Sequence, residues 1–133
     1  MCIFCKIIAH DIPCHQVYED EEVLAFLDIK PVNPGHILVM PKKHYQNIDD
    51  ISEDDFIAVM LVVKKMGKLL KEKLGVVGYN VTENNDPISG QIVPHLHFHV
   101  IPRHAGDGHV QWPQSEYGPG EVEEILKKLK SYL

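Results

Sequence analysis

His95-Leu96-His97-Phe98-His99-Val100-Ile101 decides the reading of this chain. In an extended strand, residues i, i+2 and i+4 share one face. That alternation puts three imidazoles on one side and Leu96, Phe98 and Val100 on the other. The apolar side suits packing against a helix, whereas the imidazole side needs polar partners if it is covered at all. A strand over residues 93–101 is expected.

Outward from that strand, the other elements follow from local pattern. Upstream, Gly78 to Glu83 reads as another strand. Ser52 is placed as an N-cap, with Glu53, Asp54 and Asp55 in the first turn of a helix. Phe56, Met60, Val63, Gly67, Leu70 and Leu74 recur at helical spacing, and Gly75 fits the residue that ends it. Lys64, Lys65, Lys68, Lys71 and Lys73 read as a solvated helix face that complements the macrodipole. Pro31 to Gly35 is a loop signal before a strand from His36 to Met40. Val17-Tyr18-Glu19 and Val23 to Leu27 flank an acidic turn and read as a hairpin. Ile3 to Ala9 suits one or two helical turns. Downstream, residues 103–120 are rich in Gly and Pro and hold the single Trp112. They precede an amphipathic helix with Val122, Ile125, Leu126, Leu129 and Leu133. The order implies an α+β fold, mainly an antiparallel sheet of about five strands with helices packed on it.

Composition bounds the function. The 133 residues fit one domain (1–133), with 44% hydrophobic and 24% charged residues, as in ordinary globular protein. The longest apolar run, Phe56 to Val63, is far too short to span a bilayer. No basic-then-apolar leader is read at the start. Thirteen Lys+Arg against nineteen Asp+Glu give −6, which disfavours nucleic acid and anionic membrane as partners. Three cysteines make no disulfide framework, so a cytoplasmic setting is the default. Histidine is the unusual entry, with nine residues. His10, His15, His104 and His109 lack a partner pattern and read as surface residues, and Cys14 reads as inert.

Two chemistries fit three aligned imidazoles. One is a metal cluster, since neutral imidazoles are good ligands. The other is nucleophilic catalysis by one ring, oriented by its neighbours, with phosphorus a suitable electrophile. Residue types alone leave both open. Cys2-x-x-Cys5 has the spacing of half a zinc knuckle but lacks two further ligands nearby in sequence.

The run Gly90-Gln91-Ile92-Val93-Pro94-His95-Leu96-His97-Phe98-His99-Val100-Ile101-Pro102 resembles the signature of the histidine triad family of nucleotide hydrolases and transferases. The likeness extends to Cys2-Ile3-Phe4-Cys5-Lys6-Ile7-Ile8, Ala25-Phe26-Leu27-Asp28-Ile29, Pro34-Gly35-His36 and Pro41-Lys42-Lys43-His44. It implies a histidine triad fold whose sheet extends across a twofold dimer, with residues 103–133 able to reach the partner. It implies cleavage at the α-phosphate of purine nucleotide conjugates: AMP phosphoramidates, acyl-adenylates or diadenosine polyphosphates. The general prokaryotic branch is the nearest match, although Trp112-Pro113 resembles the phosphoramidase branch.

By the same resemblance His97 is the nucleophile, forming a nucleotidyl-histidine intermediate. His99 assists at the phosphate, His95 orients, and His36 supports from behind. Asp28 takes the ribose hydroxyls, while Asn84, Gly90, Gln91 and His99 surround the phosphate. Ile92 departs from the Ser or Thr common at its position. The Cys-x-x-Cys opening implies a structural zinc ion on Cys2, Cys5, His44 and His95, with no metal needed for the chemistry. Two rivals stay open: a non-catalytic nucleotide-binding scaffold, and a metallohydrolase with His95, His97 and His99 on a catalytic zinc.

Overall fold

The computed structural model describes residues 2–132. Asp20 shapes the first hairpin by accepting the N–H groups of Glu22 and Val23 at 2.8 Å each. It joins β1 (Gln16–Glu19) to β2 (Val23–Leu27), and β3 (Ile37–Pro41) pairs with β2 in register. The helix α1 (Ile3–Ile8) precedes them, and α2 (Glu53–Leu74), β4 (Gly78–Glu83), a 3₁₀ turn (Pro87–Ser89), β5 (Phe98–Arg103) and α3 (Glu121–Tyr132) follow. The five strands form one antiparallel sheet in the order β1-β2-β3-β5-β4. The expected α+β class and strand number hold.

β2 and β3 are buried along nearly their whole length because both sheet faces are covered there. On one face, Val59, Val62, Val63, Met66 and Leu70 of α2 pack against Val23, Ala25, Ile37, Val39, Phe98 and Val100. On the other, Phe4 and Ile7 of α1 pack against Leu24, Phe26, Leu38 and Met40. α2 begins and ends as its sequence dictates: the Ser52 side chain accepts the Asp55 N–H, and Gly75 adopts a left-handed conformation at φ 65°. Its buried stripe keeps Val63, Gly67 and Leu70 of those expected. Val59, Val62 and Met66 join it, while Phe56 and Met60 are only partly buried and Leu74 is 60% exposed. Gly67 faces the Tyr79 ring so closely that a Cβ there would lie less than 3.0 Å from it.

The strand expected over 93–101 starts later, at Phe98. Pro94 has no N–H to donate, the His95 N–H turns back to the Val93 carbonyl (2.8 Å), and the Leu96 N–H bonds to Tyr45 outside the ladder (2.7 Å). His95, in a bend, and His97 therefore precede β5, and His99 alone of the three is in the sheet. The alternation survives nonetheless: Leu96, Phe98 and Val100 are buried. α3 buries none of its residues, and Val122, Ile125, Leu126 and Leu129 form an exposed stripe. Leu133, assigned to this helix from sequence, lies outside the described residues. Among the described residues no helix is long and apolar enough to cross a membrane.

Candidate active site and metal centre

The rings of His36, His95 and His97 are each fixed by a backbone group that can play one role only, so their tautomers follow from the bonding, and that of His99 follows from His36. The His95 ring places Nε2 2.8 Å from the Pro41 carbonyl, which only accepts, so Nε2 carries the proton and Nδ1 a lone pair. The His97 ring places Nδ1 2.7 Å from the His95 carbonyl, so Nδ1–H donates and Nε2 carries the lone pair. The Val32 N–H donates to Nδ1 of His36 at 3.1 Å, which puts the His36 proton on Nε2. That proton is directed at Nδ1 of His99, 2.9 Å away, leaving His99 with an Nε2–H. Apart from the Nδ1 lone pair of His95, the set thus presents one free imidazole lone pair, on His97, beside a ring that retains an N–H, His99. Their centroids are 5.0 Å apart.

Burial keeps these rings neutral. It pushes His36, His95 and His97 below the ordinary imidazole value, with the His95 carbonyl and Asp28 opposing it at His97. The effect is largest at His99, where burial and the neighbouring His97 and His36 lower the pKa to about 4. A neutral ring is what attack through nitrogen requires.

Asp28 follows the end of β2. Its Oδ1 accepts the Lys30 N–H at 2.8 Å, and its Oδ2 lies 3.8 Å from Nε2 of His36, so the carboxylate borders the triad. Gly90 closes the 3₁₀ turn at φ 101°, a conformation open to glycine, and the Asn84 carboxamide packs against its Cα side. The Gln91 carboxamide is buried and bonded within its loop. Its amide donates to the Gln46 and Val93 carbonyls, and its oxygen accepts the Asp86 N–H. Both Gln91 donors are thereby engaged in shaping the loop. Ile92, next in sequence, is 92% exposed.

A second cluster lies on the other side of His95. Nδ1 of His95 is 3.5 Å from each of the Cys2 and Cys5 sulfurs and 3.2 Å from Nδ1 of His44. His44 Nδ1 is 3.6 Å from Cys2 Sγ and 3.3 Å from Cys5 Sγ. Tetrahedral zinc bonds of ordinary length imply edges of about 3.6 Å for S···N and about 3.3 Å for N···N. The four donors match that tetrahedron, and the His95 lone pair already faces its centre. Among the described residues the only other close group of this kind is Asp28, His36 and His99. Neither group unites His95, His97 and His99, so the three rings do not converge on one ion.

Some contacts carry no sequence signal. Phe4, between the two cysteines, sets its ring edge-on to His97, with centroids 5.0 Å apart at 86°. The Val32 N–H is a backbone group that no residue type announces. Of the four histidines read as surface residues, all are exposed, although His109 Nε2 reaches the Val32 carbonyl at 3.2 Å.

Fold and site together define a class: an antiparallel α+β domain in which alternating histidines run into the sheet, one turned to a Cys2His2 cluster and the next keeping a free ring nitrogen. The chain belongs to the histidine triad (HIT) family, whose HIT domain model matches residues 9–106. It is 52% identical over 130 residues to a HIT-like protein of Methanocaldococcus jannaschii, covering 98% of this chain and 99% of that one. It is 42% identical over 136 residues to an adenosine 5′-monophosphoramidase of Schizosaccharomyces pombe, covering 97% and 98%. Among solved structures, a HIT family member from Bacillus subtilis matches with TM-score 0.91 and 39% identity over 99% of this chain and 96% of that one. A zinc-bound histidine triad family protein from Mycobacterium smegmatis matches with TM-score 0.78 and 31% identity over 99% and 97%.

Proposed function

We propose that this chain is a nucleotide hydrolase that cleaves AMP-type conjugates at the α-phosphate through His97. The observation that carries the reading is the His97 Nδ1–H···O=C bond, which leaves Nε2 as the free lone pair of a neutral ring. In-line attack by Nε2 forms the nitrogen–phosphorus bond as the bond to the departing group breaks. The His95 carbonyl supports the positive charge that develops on the attacking ring. His99 offers its Nε2–H to the phosphate oxygens or to the departing atom, with His36 holding it in that tautomer. Water then releases AMP. Overall one water is consumed, its hydroxyl ending on phosphorus and its proton on the departing group. Asp28 is assigned the ribose hydroxyls, and Asn84 and the Gly90 backbone the phosphate, with Gln91 holding their loop in shape. The phosphoramidase name of a relative 42% identical to this chain supports an amide of AMP as substrate.

Zinc is assigned to Cys2, Cys5, His44 and His95 as a structural ion. When bound it would supply a crosslink between α1 and the approach to β5, with all four positions filled by protein and none left for substrate. Two copies are assigned to a twofold dimer that continues the sheet. The unpartnered apolar stripe of α3 supports this, and light scattering checks it. Free Cys2, Cys5 and Cys14 suit a reducing, cytoplasmic setting.

The deciding experiment traps the intermediate. Protein quenched during turnover of an AMP amide labelled at phosphorus is expected to carry acid-labile label on His97, absent from His97→Ala. Label that persists in the variant would overturn the assignment.

A further inference from the structure

We infer that Asn47 and Asp86 are positioning residues: a carboxamide–carboxylate latch between them holds the loop from Asn84 to Gln91 in its phosphate-binding shape. What the loop binds is taken from the proposed function, on which this inference rests. Among the described residues only His10 and Asp86 have positive φ without being glycine. His10 lies just past α1, whereas Asp86 sits inside the loop at φ 71° and ψ 156°, a region populated almost only by glycine. Pro87 explains ψ, because a residue before proline is kept extended. It does not explain φ, and a residue with a Cβ stays there only when its surroundings hold it.

The Asp86 N–H donates to Gln91 Oε1 at 2.9 Å, and its carbonyl accepts the Ser89 and Gln91 N–H groups at 3.1 and 3.3 Å. Those bonds lie within the loop and move with it. The Asp86 side chain reaches outside: its Oδ1 accepts from Asn47 Nδ2 at 3.0 Å. Asn47 is buried, and its carboxamide has one orientation, since Oδ1 accepts the Asp49 N–H at 2.9 Å and leaves Nδ2 to donate. The turn from Gln46 to Asp50 is itself braced by Asp50, whose carboxylate accepts the Gln46 and Asn47 N–H groups at 3.1 Å each. The same turn holds the loop on both sides of Asp86. The Ile48 N–H donates to Asn85 Oδ1 at 2.9 Å, and the Gln46 carbonyl accepts from Gln91 Nε2 at 2.6 Å.

Asp86 lies in sequence between the two residues assigned to the phosphate. Its reversed φ turns the chain so that Gly90 comes back to Asn84, where a Cβ on Gly90 would lie 3.6 Å from Asn84 Nδ2. At the negative φ that an unrestrained Asp adopts, the chain leaves in another direction and the two groups part. A buried carboxamide on a separate turn thus sets how Asn84 and the Gly90 backbone meet an anion.

The test opens the latch and then rebuilds it. Asn47→Asp keeps an oxygen for the Asp49 N–H but sets a carboxylate against Asp86. AMP affinity measured by calorimetry is expected to fall about tenfold, the worth of one hydrogen bond to a charged group. In NOE spectra Asp86 should lose the strong intraresidue HN–Hα cross-peak that a positive φ produces. Asn47→Asp combined with Asp86→Asn exchanges donor and acceptor across the same pair and is expected to restore both readouts. Asp86→Ala and Asp86→Gly both remove the carboxylate, but glycine holds a positive φ unaided. The alanine variant is therefore expected to bind AMP several-fold more weakly than the glycine variant, a difference that a merely stabilising pair would not produce. Wild-type affinity in Asn47→Asp, no recovery in the exchanged pair, or equal affinity of the alanine and glycine variants would overturn the inference. Where Asn47→Asp does not fold, the alanine–glycine comparison decides. Failure of wild type to bind AMP would instead sink the proposed function. The cross-peak would then decide the latch alone: its loss in Asn47→Asp and return in the exchanged pair keep it, and its persistence removes it.

Discussion

Nε2 of His36 lies 2.9 Å from Nδ1 of His99, and the Val32 N–H on the opposite nitrogen of His36 sets the direction of that hydrogen bond. A backbone amide in the loop before β3 therefore decides which nitrogen of a triad ring keeps its proton. The chain of control runs from loop to His36 to His99.

Removing His36 should release that control. His36→Ala is expected to lower kcat by about ten- to a hundredfold, the usual worth of an outer partner that fixes an imidazole, with a smaller change in KM. Nitrogen-15 NMR of the imidazoles checks the cause. Wild type should show His36 and His99 protonated on Nε2 and His97 on Nδ1, and only the His99 assignment should become mixed in the variant.

The neutral state of His99 has a stability signature with a definite sign. Its pKa falls from 6.5 to about 4 on folding. Between those values the unfolded chain binds a proton that the native protein does not, so acidification through that window favours unfolding. Above 6.5 and below about 4 this group contributes no slope. Urea midpoints measured from pH 7 to pH 4.5 should therefore fall less in His99→Gln than in wild type.

The cysteine–histidine tetrahedron predicts one zinc per chain by elemental analysis. Cys2→Ser should abolish it, and Cys14→Ser should retain it. Chelation of wild type should lower Tm by several degrees, because loss of a ligand that binds only the native state removes its stabilisation. Equal zinc in Cys2→Ser and wild type would refute the centre.

Much of this arrangement was legible in the sequence because it depends on side-chain type and spacing. Ser52 and Gly75 mark the ends of α2 through their own cap chemistry, and the period of two before β5 orders the histidines. What was not legible depends on backbone and on distant pairing. The strand starts at Phe98 and not at Val93 because the Leu96 N–H bonds to Tyr45, a residue across the fold. Helical periodicity located α2 and named Val63, Gly67 and Leu70 of its buried face but not Val59, Val62 and Met66, since the sheet and not the helix decides which face is covered. The partners of His36 and Asp86 needed the tertiary structure.

Packing of α2 on β4 turns on Gly67. A Cβ there meets the Tyr79 ring at less than 3.0 Å, so Gly67→Ala is expected to destabilise the fold by about 1–3 kcal/mol despite the better helix propensity of alanine. Combining it with Tyr79→Leu should recover much of the loss. Chemical denaturation of the two single variants and the double variant measures that coupling.

Ile92 offers the most direct test of the phosphate-binding role proposed for the loop from Asn84 to Ile92. Its side chain is 92% exposed, while Gln91 beside it is buried and bonded. The loop therefore holds its shape without Ile92, and a residue there faces outward at the start of the approach to the triad. On the proposed function a hydroxyl at that position would add a donor for the α-phosphate, and an exposed substitution changes stability by only about 0.5 kcal/mol. Ile92→Ser is expected to raise kcat/KM on AMP amides several-fold, with the urea midpoint nearly unchanged. A rate no higher than wild type would mean that backbone N–H groups, Asn84 and His99 already satisfy the phosphate. The donor count at this loop would then be complete without a side chain at position 92.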